Sequence, residues 1–321
     1  MRQYLCIIPV LLLVACSKDS DNTPSPGNQI KYGKNRFITM VDGDEREYYV
    51  HVPANYDGKT AVPLVFMLHG TSGDGEKFYN ISGWREVGEA ENILTVYPSS
   101  WRYCIMTMGE KSNTTKWSSQ PAEWEPCTGE RLRDDIKFLR IIIDEVGIKY
   151  NLNRKKVYLA GFSNGGQMAS KCSIEMGDVF AAIVQSAGSF YLNTTYQPVR
   201  KMAVTYQVGN EDYGPGNVGP EIPLTMLDSL INSPNLTIQN GRHYTITQTH
   251  VNSFRLNPRY TKTGDLNVAV TANFNSLPED PNVKFRYILI KDLQHAYPNG
   301  QNHPYKAAEE NLAWMKQFSL P

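Results

Sequence analysis

The stretch "VYLAGFSNGGQMA", residues 157–169, decides the fold, because it joins an apolar segment to a helical one through a glycine-rich turn. "VYLAG" is typical of a strand that is buried on both faces of a sheet. The residues after it give the pattern G-x-S-x-G with Gly161, Ser163 and Gly165. Alone the pattern is weak, since chance produces it in about one chain in ten of this length. Its place between a strand and a helix makes it informative.

A serine in this setting is typical of a nucleophile elbow, a sharp strand-to-helix turn that exposes the serine Oγ. The sharp turn strains the serine backbone, and side chains at positions 161 and 165 would collide with the neighbouring strand and helix. The helix start behind the serine offers free backbone N–H groups and the positive end of a helix dipole. We therefore predict that Ser163 is a nucleophile rather than part of a plain glycine turn.

The rest of the chain alternates strands and helices. The segments "VPLVFMLHG", "NILTVYPSS", "FAAIVQSAG", "KMAVTYQVG" and "FRYILIK" have the apolar runs of buried strands. "LRDDIKFLRIIIDEVGIKY" has helical periodicity, and "PYKAAEENLAWMKQF" predicts a last helix that starts at Pro304. This order predicts an α/β domain over residues 31–321, with a mainly parallel central sheet and helices on both faces.

The composition excludes one class of partner. The chain has 321 residues, 41% of them hydrophobic, which is enough for one large core. Lys and Arg number 32, as do Asp and Glu, so the formal net charge is zero. A nucleic-acid partner is not expected, because phosphate binding needs a basic excess.

The N-terminus predicts export. Arg2 precedes an apolar run, residues 4–15, that is too short to span a bilayer and has the length of a signal-peptide core. The run ends in "LVAC", which resembles a bacterial lipobox with Cys16 as the acylated residue. We predict a signal peptide at 1–15, a lipidated flexible tether at 16–30, and an outer-membrane lipoprotein. An acidic run after Cys16 resembles surface-export signals, so the protein is expected to face the cell surface.

Export places the remaining cysteines in an oxidising compartment. Cys104 and Cys127 lie in one loop-like region and are the predicted disulfide pair. Cys172 has no His or Cys at ligand spacing and is predicted to be a small buried residue, so no metal site is expected.

A serine nucleophile needs a histidine base, and in this fold the chain order is serine, acid, histidine. His295 in "IKDLQHAYP" directly follows the last strand and is the predicted base. Four of the other five histidines are set aside by position: His51 and His69 precede Ser163, and His243 and His250 lie in a strand-like segment where we expect them to face solvent. His303, before Pro304, is read as a helix-entry residue.

The acid and the oxyanion donors follow from the same logic. "VGNEDYG" supplies Glu211 and Asp212 after a strand, and we favour Asp212 with Glu211 as the alternative. Asp292 is too close to His295 in the chain. The backbone N–H groups of Asn164 and Thr71 are the predicted oxyanion donors. His69, beside Thr71, is predicted to brace its loop.

Aromatic residues crowd the segment "SSWRYCIMTMGEKSNTTKWSSQPAEWEPC", residues 99–127. Trp101, Trp117 and Trp124 could stack on a sugar or on an aromatic acyl group, and they could equally cover the sheet edge under a Cys104–Cys127 bridge. The long segment from residue 243 to 275 reads as extra strands, which would form a flap over the site.

Five motifs together resemble a family: "YYVHVPANYDGKTAVPLVFMLHGTSGDGEKF", "DDIKFLRIIIDEVGIKYNLNRKKVYLAGFSNGGQMA", "FAAIVQSAG", "VGNED" and "QHAYP". They are similar to the secreted esterases that group feruloyl esterases of carbohydrate esterase family one with polyhydroxybutyrate-depolymerase-like enzymes. The resemblance covers residues 46–318. It departs from the family in a long insert, residues 213–283, and in Gln294 where glycine is common; both lie at the wall and mouth of the site.

The resemblance implies an α/β-hydrolase fold and a serine esterase that needs no metal. No cofactor is expected, and the protein is expected to be a monomer. It supports Ser163, Asp212 and His295 as the catalytic set. The implied substrate is a polysaccharide or oligosaccharide ester that carries feruloyl or acetyl groups, with a polyhydroxyalkanoate polyester as the alternative. A surface glycan-binding lipoprotein without catalysis is the alternative from another class. The membrane is contacted only through the lipid on Cys16.

Overall fold

The computed structural model describes residues 30–107, 109–119, 125–236 and 241–321. Within it, Lys31–Pro321 forms one compact unit. The predicted signal peptide, Cys16, nearly all of the tether, and Trp124 lie outside the described residues. In the described part, no helix has both the length and the apolar character needed to cross a bilayer.

The strands form two sheets. In chain order they are β1 Gly33–Val41, β2 Asp44–Val52, β3 Val62–Leu68, β4 Leu94–Pro98, β5 Trp101–Thr107, β6 Glu110–Lys116, β7 Glu125–Pro126, β8 Leu152–Phe162, β9 Ala182–Ser186, β10 Ala203–Gly209, β11 Leu256–Asp265, β12 Ala269–Ser276 and β13 Lys284–Ile290. The large sheet has the order β1-β2-β4-β3-β8-β9-β10-β13-β12-β11, and the small sheet has the order β6-β5-β7.

The centre of the large sheet is parallel, as predicted. Strands β4, β3, β8, β9, β10 and β13 pair in parallel. The hairpin β1–β2 on one side and strands β12 and β11 on the other pair antiparallel. Because parallel strands end at the same edge, the loops after β3, β8, β9, β10 and β13 meet there.

The helices are α1 Gly75–Ile81, α2 Trp84–Glu91, α3 Asp135–Lys149, α4 Asn164–Glu175, α5 Leu227–Asn232, α6 Arg242–Phe254 and α7 Ala307–Met315, with a 3-10 turn at Leu224–Met226. Val65 and Met67 of β3 share one buried cluster with Trp84 of α2 and Leu312 of α7. Phe66 points to the opposite face and meets the edge of Phe180 at 5.7 Å. The central strands are therefore covered on both sides.

Two local predictions are wrong. Residues 242–254 form a helix rather than a strand, and His243 and His250 are buried within it rather than exposed to solvent. Its buried positions follow a helical spacing rather than an alternating one, and its several threonines and other β-branched residues concealed that spacing. The last helix begins at Ala307 rather than at Pro304. Strands β11 and β12 are the extra strands that were expected; they form one edge of the large sheet, and a role as a flap over the site stays a prediction.

Candidate active site

The turn at Ser163 has the strained geometry of a nucleophile elbow. Ser163 lies between β8 and α4 with φ 54° and ψ −119°, a conformation that non-glycine residues rarely adopt. A Cβ atom at Gly161 would lie 2.1 Å from the carbonyl oxygen of Gly165, and one at Gly165 would lie 2.5 Å from that of Leu68. Only glycine fits at both positions, which is the steric reason for the G-x-S-x-G pattern.

Ser163, His295 and Asp212 form a hydrogen-bonded chain. The Oγ of Ser163 lies 2.9 Å from Nε2 of His295. On the other side of the ring, Nδ1 lies 2.9 Å and 3.1 Å from the two carboxylate oxygens of Asp212. Asp212 is fully buried, and Oδ1 also accepts the N–H of Gly214 at 2.8 Å. This geometry lets Nε2 accept a proton from Ser163 while Asp212 holds the Nδ1–H tautomer.

The alternative acids do not take this position. Glu211 lies 3.4 Å from the side-chain nitrogen of Gln294 and is partly exposed. Asp292 is exposed and pairs with Lys291 at 2.6 Å. The structure thus favours Asp212 over Glu211 by direct contact, although its catalytic role stays a prediction.

The predicted oxyanion donors both adjoin Ser163. A Cβ atom at Gly70 would lie 3.1 Å from the Cβ of Ser163, so the loop that carries Thr71 touches the nucleophile. Among the described residues, Ser72 and Gly73 donate their N–H groups to protein carbonyls, and no such acceptor takes the N–H of Thr71. Asn164 is the first residue of α4, where the N–H groups have no intrahelical acceptor. In the described part of the chain, both N–H groups lack a backbone acceptor beside Ser163, and their role as oxyanion donors stays a prediction.

His69 braces this loop, as expected. Its Nδ1 donates to the carbonyl of Gly70 at 2.7 Å, and its Nε2 accepts the N–H of Ser100 at 2.9 Å. Burial lowers the pKa of His69 to about 4, which keeps the ring neutral near pH 7. A neutral ring suits this role, since one nitrogen must donate and the other must accept.

In the aromatic segment, residues 99–127, Trp117 is part of the protein core and does not face the substrate. Trp117 is completely buried, so its ring is not available for stacking on a substrate, and that prediction is wrong. Its indole N–H donates to the carbonyl of His69 at 2.9 Å. Trp101 is partly exposed, and the guanidinium of Arg133 lies 4.1 Å from its ring centroid, so only its other face could bind substrate. Sequence reasoning missed the role of Trp117 because a tryptophan gives no local sign of burial.

Cys104 and Cys127 form a disulfide with a Cα–Cα distance of 5.5 Å. It ties β5 to the segment that follows β7. Cys172 is a free, fully buried thiol on α4, and burial raises its pKa far above the usual value, which makes it an unreactive core residue as predicted.

A cleft that sequence reasoning did not find opens beside Ser163. It measures about 370 Å³, and its walls include Thr71, Phe78, Ile81, Phe162 and Tyr297. Phe162 directly precedes the nucleophile, and its ring lies 5.1 Å from that of His295. The mainly apolar walls and the adjoining oxyanion loop make this cleft a candidate site for an acyl group.

Among the described residues, one cluster of three carboxylates has the spacing of a cation site. Oxygens of Glu211, Glu221 and Asp292 lie within 4.8 Å of one another. The protein's own donors already meet two of them: Asn210 donates to Glu221 at 3.1 Å, and Lys291 pairs with Asp292. One lysine therefore offsets only part of the negative charge of the three carboxylates, and exposed acidic clusters of this kind are common without a bound ion.

Comparisons with known proteins find similarity to esterases. No family model matches the chain. A bifunctional acetylxylan esterase/xylanase of Neocallimastix patriciarum is 25% identical over 46% of this chain and 18% of its own. Feruloyl esterase B of Piromyces equi is 26% identical over 44% of this chain and 24% of its own. Poly(3-hydroxyalkanoate) depolymerase C of Paucimonas lemoignei is 26% identical over 45% of this chain and 32% of its own. The chain thus spans less than half the length of the first curated relatives that it matches.

The solved acetyl xylan esterase from Aspergillus awamori superposes with a TM-score of 0.57 over 88% of this chain and 99% of that one, at 13% identity. The protein has the α/β-hydrolase fold. Within an α/β-hydrolase, the elbow after β8, the loop after β10 and the loop after β13 are the positions of nucleophile, acid and base. The chain also resembles the esterases in sequence, as the motifs indicated.

Proposed function

We propose that this protein is a serine carboxylic-ester hydrolase. The contact chain from Ser163 through His295 to Asp212, at 2.9 Å on each side of the imidazole, is the observation that carries the proposal. A serine without such a base is a poor nucleophile near neutral pH. The similarity to curated esterases supports the same conclusion.

The reaction has two steps. In the first, Nε2 of His295 takes the proton as Oγ of Ser163 attacks the ester carbonyl, and the oxyanion accepts hydrogen bonds from the N–H groups of Thr71 and Asn164. The imidazolium then gives the proton to the departing alcohol, which leaves an acyl-enzyme. In the second step, water attacks the acyl group with His295 again as base, and Ser163 regains its proton. Asp212 stabilises the imidazolium in both steps.

The proposed substrate is a polysaccharide or oligosaccharide ester from which feruloyl or acetyl groups are removed. Two of the relatives are named for acetylxylan and feruloyl esters. The apolar cleft beside Ser163 has room for an acyl group of aromatic size. A polyester depolymerase is the second candidate, because another relative is named for poly(3-hydroxyalkanoate).

Export as a lipoprotein is part of the proposal. The lipobox-like "LVAC" and the apolar run before it support acylation of Cys16 and an outer-membrane location. The Cys104–Cys127 disulfide is consistent with this, because such bonds persist mainly in oxidising compartments. Incorporation of labelled palmitate into the wild-type protein, and its loss in Cys16→Ser, would test the anchor.

Replacement of Ser163 by alanine tests the hydrolase directly. We expect kcat on p-nitrophenyl acetate and methyl ferulate to fall by at least about 10⁴-fold with an unchanged melting temperature. Ser319→Ala, at an exposed serine near the C-terminus, is the control and should keep full activity. Retained turnover in Ser163→Ala would exclude this mechanism. Glycan binding by a wild-type protein that turns over no ester would favour a non-catalytic surface lipoprotein.

A further inference from the structure

Trp117 connects the two sides of the candidate oxyanion site. Its indole N–H donates to the carbonyl of His69, two residues before Thr71. Its backbone N–H donates to Oδ1 of Asn164 at 2.6 Å. One fully buried residue therefore holds the loop of the first donor and the residue of the second.

The strand before Trp117 adds contacts to the same loop. Thr115 of β6 accepts the N–H of Ser72 at 2.9 Å, and its Oγ1 donates to the carbonyl of Gly73 at 2.5 Å. The hydroxyl of Thr114 lies 2.8 Å from that of Ser72. Both residues that follow Thr71 are thus hydrogen-bonded to β6, and the position of the Thr71 N–H depends on this strand.

The side chain of Asn164 is fixed as fully as the loop. Its Nδ2 donates to Oγ of Ser119 at 3.2 Å and to Oε1 of Gln167 at 3.0 Å, while Oδ1 accepts from Trp117. A first helical residue that only needed to be polar would not require contacts to a segment 45 and 47 residues away in sequence. These bonds set the position of the first turn of α4 against the segment that carries Trp117.

We propose that Trp117 is a positioning residue that sets the separation between the N–H groups of Thr71 and Asn164. The inference rests on the proposed hydrolase function. Two donors stabilise an oxyanion only when both lie about 2.7–3.1 Å from it, so a loop that shifts by a fraction of an ångström loses much of the effect. The charge on the carbonyl oxygen is full only near the transition state. Loss of the tryptophan contacts therefore lowers kcat and leaves KM nearly unchanged.

The test compares Trp117→Phe with Trp84→Phe. Both residues are fully buried, and each indole makes one side-chain hydrogen bond; that of Trp84 goes to the hydroxyl of Tyr297 at 2.8 Å. Each variant keeps an aromatic ring and loses one donor, so both should lower the melting temperature. Only Trp117→Phe should lower kcat on p-nitrophenyl acetate, by about 10–100-fold with KM within about threefold.

A second readout separates positioning from stability. A phenylboronic acid forms a tetrahedral adduct on Ser163 that places an oxygen in the oxyanion site. Its inhibition constant should rise with the fall in kcat in Trp117→Phe and stay at the wild-type value in Trp84→Phe. Asn164→Ala should give the same pattern, and the double variant Trp117→Phe/Asn164→Ala should lose less than the product of the single losses.

The outcomes distinguish the two proposals. If the wild-type protein turns over esters and Trp117→Phe has the same kcat and the same boronate affinity, the positioning role alone would be overturned. A kcat loss of equal size in Trp84→Phe would also overturn it, because the effect would then follow from general destabilisation. Absence of ester turnover and of boronate binding in the wild-type protein would overturn the hydrolase and the positioning role together.

Discussion

Both carboxylate oxygens of Asp212 lie within hydrogen-bond distance of Nδ1 of His295, at 2.9 Å and 3.1 Å. The contact fixes the proton on Nδ1 and leaves Nε2 free to accept one from Ser163. Asp212→Asn would place an amide there and favour the wrong tautomer. We expect kcat to fall by about 10³–10⁴-fold with little change in KM, measured with p-nitrophenyl acetate at pH 7.5.

Glu211→Gln is the matched control for this prediction, because it removes the neighbouring acid and keeps the side-chain size. Its activity should stay within about threefold of wild type. If Glu211→Gln lost activity and Asp212→Asn kept it, the assignment of the acid would be reversed.

The cleft beside Ser163 predicts a dependence on the size of the acyl group. Ile81, which is 42% exposed, forms part of its wall, and Ile81→Trp would fill it. With p-nitrophenol as a constant leaving group, kcat/KM for the feruloyl ester should fall by at least about 10-fold, while that for the acetyl ester should change by less than about threefold.

Ile148→Trp controls for the added indole, since Ile148 is 84% exposed on α3 and does not line the cleft. Equal losses for the acetyl and feruloyl esters in Ile81→Trp would show that the cleft does not bind the acyl group.

Three buried histidines predict how stability depends on pH. Burial lowers the pKa of His69 and His250 to about 4, and that of His243 to about 3, from an ordinary value near 6.5. Between pH 6.5 and 4 the unfolded chain binds protons that the folded chain excludes. The contribution of these histidines to the free energy of unfolding should therefore be greatest above pH 6.5 and should decrease as the pH falls below that value.

His250→Phe isolates one of these contributions, because His250 already stacks on Phe285 with ring centroids 4.2 Å apart. Urea unfolding between pH 7 and pH 4.5 should show a shallower pH dependence in the variant, by up to about 1.4 kcal/mol per pH unit. Identical slopes would mean that His250 does not take up a proton on unfolding.

The disulfide predicts a loss of both stability and activity on its removal. Cys104 and Cys127 are 23 residues apart, and a loop of that size suggests a stabilisation of about 3 kcal/mol. Because β5 pairs with β6, and β6 holds Ser72, the variant Cys104→Ser/Cys127→Ser should also have a lower kcat. Cys172→Ala removes a cysteine but keeps the disulfide, and it is the control. The prediction would be contradicted if Cys104→Ser/Cys127→Ser unfolded at the urea midpoint of the wild-type protein.

The sequence was informative where local chemistry determines structure. The apolar runs identified the parallel strands, and the G-x-S-x-G pattern located the turn whose glycines admit no Cβ atom. The order of Ser163, Asp212 and His295 was enough to name three residues that the structure brings into contact. Each of the three residues follows closely on an apolar segment that reads as a strand, and this position in the sequence identified them.

Long-range packing was not visible in the sequence. The helix Arg242–Phe254 was missed because its threonines and buried histidines resemble an alternating strand pattern. The sequence left Trp117 open as a substrate contact or a cover for the sheet edge, because its role depends on His69 and Asn164, which lie 48 and 47 residues away. No property of residue 117 alone distinguishes a buried donor from an exposed stacking ring.

The loops that carry acid and base are fastened to each other by the backbone. Strands β10 and β13 are adjacent, and beyond them the N–H of Asn210 donates to the carbonyl of Ile290 at 2.8 Å and that of Glu211 to Leu293 at 3.1 Å. Residues 213–283 separate the two loops in the chain and yet support both of them, because Gly214 donates its N–H to Asp212 and β12 pairs with β13, the strand that leads to His295. Replacing this segment with its counterpart from a related esterase would therefore disturb the acid and the base as well as the surroundings of the site.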